Sequence, residues 1–403
     1  MNINTTFSRT VGAVLVSLAI GACGSDDNES TGATGSAGIE FAPKAMIDNV
    51  TDNVITATYV SLDQRAQALS TAVSALFDGG ATDSELDAAQ QAWRDARVPW
   101  ESSEGFLFGP VDSEGIDPAI DSWPLNTPDL QAFLTANPNA TQQQVEAAGD
   151  DLRGFHAIEF LLFGDGVADN DKSATELSAA ELNYLVALAQ AFVARTTVLA
   201  SAWTTDFNGL GPYATQVKTA GESGNSTYVS KAAVVGELLN GIAGIADEVA
   251  NAKIAEPFGT STANADTSLV ESQYSWNSLT DFHNNLQSIL NVYSGRTGFD
   301  PVSDTIAAGS PGLYSFVAAH DTALADRVLT EIIDAQKKIA LIKGDGVDTS
   351  TEITGLAKPF REQITDANGR VLIEDAIAAV QTLFTSLDVD VRALLPLTTF
   401  TGT

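Results

Sequence analysis

Gly154-Phe155-His156-Ala157-Ile158-Glu159-Phe160-Leu161-Leu162-Phe163-Gly164 is apolar on almost every side of a helix, yet two ionisable residues interrupt it three positions apart. A helix that is greasy all round belongs in a core. His156 and Glu159 then share one face. An imidazole and a carboxylate are costly to bury unless each meets a hydrogen-bond partner, an opposite charge or a metal. The pair is therefore either satisfied inside the core or turned toward a wet, functional cavity.

Two further stretches bear on that choice. In Arg97-Val98-Pro99-Trp100-Glu101-Ser102-Ser103-Glu104-Gly105-Phe106-Leu107-Phe108-Gly109, residues Arg97, Glu101 and Glu104 fall on one helical face if the helix runs across Pro99. A surface ladder of that kind contributes little. Trp93, Trp100 and Phe106 surround these charges with apolar bulk, which favours a buried, partnered network. The third stretch runs from Glu271 to Asn285 through Tyr274, Ser275 and Asp281, and is dense in polar groups for a segment read as helical. Imidazole with carboxylates is a ligand set for iron, zinc or copper, and helical bundles build such sites from facing helices. His156, Glu159, Glu101 and Glu104 are the candidate metal ligands, with Asp112, Asp117 or Asp121 available to complete a site. The His-Glu-x-x-His spacing of zinc peptidases is absent, as are a phosphate loop and a nucleophile elbow. His283 sits on an ordinary helix with no assigned role, and His320 reads as a surface residue.

The chain of 403 residues carries 20 Lys+Arg against 52 Asp+Glu, a net charge of −32 that repels nucleic acid. That balance speaks first to solubility. Arg9, the apolar run Val11 to Ile20 and Gly21-Ala22-Cys23 form a secretory leader over residues 1–22. Leu18-Ala19-Ile20-Gly21-Ala22-Cys23 resembles a bacterial lipobox, which implies cleavage before Cys23 and lipidation of its sulfur. Residues 23–40 are a polar spacer, and one cysteine excludes a disulfide framework. No later apolar run reads as long enough to cross a bilayer.

Periods of three, four and seven predict helices over 42–77, 82–97, 141–149, 178–207, 228–255, 269–293, 313–342 and 371–387, with a long ordered loop over 109–138 that contains Trp123-Pro124. No strand is expected. The reading is all-α: two packed helical bundles, 41–209 and 210–403, joined near Gly209-Leu210-Gly211-Pro212.

Taken together, the three stretches resemble the imelysin family, the M75 peptidase-like, iron-regulated proteins. Gly154-x-His156-x-x-Glu159 matches its GxHxxE signature, although Phe163 stands where many members have Trp. Arg97-x-Pro99-Trp100-Glu101, Glu104-Gly105-Phe106, Trp123-Pro124 and the Glu271–Asn285 stretch look like the rest of the family pattern. The resemblance implies two helical bundles with the signature facing a cleft, and a lipid-anchored place in the bacterial envelope. It also implies a role in iron uptake or its regulation. On that reading His156, Glu159, Glu101 and Glu104 bind iron, another divalent metal or a small metal-bearing ligand, with Arg97, Trp100, Gly154, Tyr274, Ser275 and Asp281 lining the cleft. The alternative is a metallopeptidase in which Glu159 is ligand or general base. A third reading is a lipoprotein in which the signature only locks two bundles together.

Overall fold

A computed structural model describes residues 39–167, 172–299, 304–306, 310–342 and 358–402. The leader, Cys23 and the spacer up to residue 38 lie outside the described residues. The described part is all-α. Its helices pack in two groups, Ala57–Asp78, Asp83–Glu101, Gly154–Phe163 and Ala179–Thr204 in one, Lys231–Asp247, Ser278–Ser294, Thr322–Leu341 and Ala367–Thr385 in the other.

Local sequence accounts for the ends of these helices. Thr82 accepts from the Glu85 amide and the Glu85 carboxylate answers the Thr82 amide, a closed capping box, and Ser178 with Glu181 repeats it. Asp321 and Asp366 each accept two backbone amides at the starts of the helices they cap. The predicted 42–77 helix is a continuous run in which a π-helical stretch, Thr51–Thr56, joins Lys44–Val50 to Ala57–Asp78.

Several expectations need correction. The helix predicted to stop at Arg97 continues through Pro99 to Glu101, because Pro99 lies in the last turn and costs a single backbone bond. The predicted loop over 109–138 holds three short helices, Pro110–Ser113, Ile116–Asp121 and Thr127–Ala136, the last capped by Asn126. The helix expected from 269 begins only at Ser278, since Ser272 and Trp276 take positive φ values of 49° and 60° and turn the chain instead. Asp321 splits the expected 313–342 helix into Leu313–His320 and Thr322–Leu341. Ala179–Thr204 is, by length and composition, long and apolar enough to cross a membrane, contrary to the sequence reading. Here it packs against Ala57–Asp78 as a core helix.

Two strands also form. Ile39–Phe41 pairs in parallel with Thr398–Phe400, and Phe316 meets both Phe41 and Phe400. His320 is half-buried rather than a surface residue, because this strand pair covers it and Thr398 Oγ1 lies 2.9 Å from its Nε2.

Candidate functional site

The glycine that opens the central helix explains its placement. Gly154 has φ +79°, and a Cβ there would stand 2.3 Å from the Ile120 carbonyl oxygen. Only glycine lets the start of Gly154–Phe163 press against the end of Ile116–Asp121. That approach brings His156 Nε2 to 3.2 Å from Asp121 Oδ1, with Glu271 Oε1 at 3.8 Å. On the other side of the ring, Nδ1 lies 3.0 Å from Glu159 Oε2. The second Glu159 oxygen accepts from both the backbone amide and the hydroxyl of Ser275, each at 2.8 Å.

Arg97 is the hub. Its guanidinium is fully buried and ion-pairs with Glu101, Asp121, Glu271 and Asp281, the last at 3.0 Å. The Phe155 ring lies 4.8 Å beneath it. Trp100 Nε1 donates to Asp121 Oδ2 at 2.5 Å. Asn285 donates to Glu101 at 2.6 Å, while Ser272 and Asn277 hold Asp281. Lys253, also buried, pairs with Glu271 Oε2 at 2.9 Å and lies 3.8 Å from Glu101. Glu101 closes its helix at the negative end of the peptide dipole, an unfavourable place for a carboxylate unless cations gather there.

The electrostatics follow from crowding. Burial lowers the basicity of the His156 ring, but the neighbouring carboxylates of Asp121, Glu159 and Glu271 outweigh it and hold the imidazolium well above its usual range. Burial pushes Asp121 up, yet Arg97 and His156 bring it below the ordinary carboxylate range, and Lys253 and His156 do the same for Glu271. Burial wins at Glu101, Glu104 and Asp281, all of which stay protonated to higher pH than usual. Six carboxyl groups (Glu101, Glu104, Asp121, Glu159, Glu271 and Asp281) thus share the site with three basic groups, Arg97, His156 and Lys253.

Two sets of donor atoms lie within 4.8 Å of one another: Asp121, His156 and Glu271 form one, Glu101, Glu104 and Asp121 the other. Asp121 belongs to both. Nitrogen and oxygen donors in this mixture suit iron, zinc or copper. Of the expected ligands, His156, Glu101 and Glu104 are in these sets. Glu159 is in neither, because Ser275 and His156 Nδ1 take up its oxygens; Asp112 and Asp117 are in neither as well. Arg97, Trp100, Ser275 and Asp281 join the same buried network, and Gly154 shapes it through its backbone. Tyr274 packs on Trp123 at 5.7 Å and on Phe160 at 5.2 Å. His156 and Glu159 are sealed from solvent and bonded to the protein's own atoms, so they do not face an open cleft in this conformation.

Sequence reading gave no role to Lys253 or Glu271. Lys253 sits in a π-helical stretch, Glu248–Ala255, beside buried Val249, Ala250 and Ile254, and nothing in its neighbours marks it. Glu271 had a usable signal: it opens a polar stretch whose Ser and Asn residues compete with helix formation.

Residues 55–387 match the family model described as imelysin, Peptidase M75. An iron-regulated protein A of Synechococcus elongatus is 31% identical over 359 residues, covering 88% of each chain. A solved structure from Parabacteroides distasonis, named as an iron-regulated protein A precursor, superposes with a TM-score of 0.74 at 28% identity and covers 91% of this chain and 97% of its own. An imelysin-like protein of Psychrobacter arcticum shares the fold, with a TM-score of 0.66 at 13% identity, 89% of this chain and 98% of its own.

Proposed function

The chain belongs to the imelysin family, and from that premise we propose that it binds a metal ion at the buried Asp121/His156/Glu271 set and serves iron uptake or its regulation at the cell envelope. One observation carries the ion-binding reading: six buried carboxyls face three basic groups. Surplus negative charge in a core is costly, so the network must hold extra protons or accept a cation. Glu101, Glu104 and Asp281 are poised to hold protons when no ion is bound. A cation that replaces them gains the attraction of the whole cluster. His156 Nε2, Asp121 and Glu271 would hold the ion, Glu159 and Ser275 would orient the imidazole from behind, and Arg97 would keep the carboxylates apart and aimed. Iron as the cargo rests on the names of the relatives. The envelope location, with a lipid on Cys23, rests on the leader and the lipobox-like segment.

Calorimetric titration of ferrous, ferric and zinc ions into the purified protein tests the site. Saturable binding that His156→Ala and Glu271→Gln each abolish is expected; a wild type that takes up none of the three ions ends the proposal. Radiolabelled palmitate incorporation that disappears in Cys23→Ser checks the anchor. The peptidase alternative asks Glu159 to reach a peptide bond, but its side chain has no solvent exposure. Chelator-sensitive cleavage of unfolded casein, lost in Glu159→Gln, would reverse that preference.

A further inference from the structure

The donor atoms are almost closed off, but not evenly. Side-chain exposure is 0% at His156, 3% at Asp121 and 10% at Glu271. Of the three donors, Asp121 and Glu271 are therefore the ones that solvent reaches. Trp123 bridges the two segments that carry them. It follows Asp121 by two residues, and its half-buried indole meets the His156 ring edge to face with centroids 4.7 Å apart. Its Nε1 donates to the carbonyl of Leu269, two residues before Glu271, at 3.4 Å. One side chain thus clasps both ligand-bearing segments over the imidazole. That bond is longer than an ordinary N–H···O bond, whereas Arg97 holds Asp281 at 3.0 Å and Lys253 holds Glu271 at 2.9 Å. Unlike those two contacts, the clasp can part without breaking an ion pair.

We infer that Trp123 is the door of the ion site: the indole leaves the His156 face to admit a cation between the two segments and returns to cover it. This rests on the ion-binding reading above and adds where exchange occurs and what limits it. The Trp123 N–H donates to a backbone carbonyl and not to a donor oxygen, so it governs how fast the ion exchanges rather than how strongly it is held. It is a positioning residue, not a ligand.

The test uses zinc as the probe ion, with stopped-flow mixing against a chelator for release and against free zinc for uptake. In Trp123→Ala both rates are expected to rise by about tenfold, the equivalent of one lost hydrogen bond, while the equilibrium constant stays within about threefold. Trp123→Phe keeps a ring over His156 without the N–H donor and falls between. A second measurement needs no metal: deuterium exchange at the His156 ring carbon, followed by mass spectrometry in ion-free protein, should quicken in Trp123→Ala. Unchanged zinc rates together with an unchanged ring-carbon half-life overturn the door. So does a Trp123→Ala protein that loses affinity with no change in uptake rate. A wild type that takes up no zinc, beside a Trp123→Ala protein in which the ring carbon exchanges faster, sinks the ion reading and leaves the door standing.

Discussion

At the scale of single residues, the site is an argument about counter-charges. Arg97 meets four carboxylates from 0% exposure, so Arg97→Met strands them together without their common partner. A loss of about 3–5 kcal/mol in urea-unfolding stability is expected. Arg97→Lys should recover only part of it, because an ammonium cannot present a planar fork to several acids at once. A melting curve that Arg97→Met leaves unmoved would contradict the hub. Glu159 acts from behind the imidazole. Glu159→Gln keeps the shape but removes the charge, and should weaken ion binding about 10–100-fold, the usual cost of a lost outer partner. Protonation has a definite sign as well. His156 binds its proton more tightly folded than unfolded, so its stabilising contribution is complete below the unfolded value of about 6.5 and disappears as pH climbs through the raised folded value. Glu101, Glu104 and Asp281 are shifted up as well and push the same way. The urea midpoint of ion-free protein should therefore fall as pH rises above about 6.5, and a saturating cation should flatten that slope. A midpoint that rises over this range would count against the assignment.

At the scale of elements, the glycine of the signature is as necessary as its histidine. Gly154→Ala would force a Cβ into the Ile120 carbonyl at a left-handed backbone position, a strain of about 1–3 kcal/mol, and part His156 from Asp121. Thermal melts should show the loss, and zinc titration should show weakened binding even where the variant remains folded. Most helices were legible in the sequence, because Thr82/Glu85 and Ser178/Glu181 announce their caps and the apolar spacing does the rest. The turn at Glu271–Asn277 was not: a run of polar residues after an apolar one fits a helix start as well as a turn, and only packing selects the left-handed Ser272 and Trp276. The same limit hid the choice among acids. Asp112, Asp117 and Asp121 look alike in one dimension, but only Asp121 ends its helix beside both Trp100 Nε1 and Arg97. Lys253 had no sequence signal, since its role comes from Glu271, eighteen positions away, folding back onto it.

Across the whole molecule, a net charge of −32 makes the surface an attractor for cations and a repeller of its own parts. Added sodium chloride should therefore do two opposite things. It should raise the melting temperature by screening surface repulsion, and it should slow zinc association, since the approach is steered over distances of about 10 Å at 0.1 M salt. An association rate indifferent to salt would show that the surface charge plays no part in delivery.

The short parallel pairing of Ile39–Phe41 with Thr398–Phe400 leaves the first and last described segments side by side. Segments that lie side by side can be joined and the chain opened elsewhere. A circular permutant linking residue 402 to residue 39 through a few glycines, reopened at the exposed Asn208–Leu210 turn, should fold and still bind zinc. Such a rearranged chain would carry the two helical groups in reversed order, with the charged network between them rebuilt from either direction.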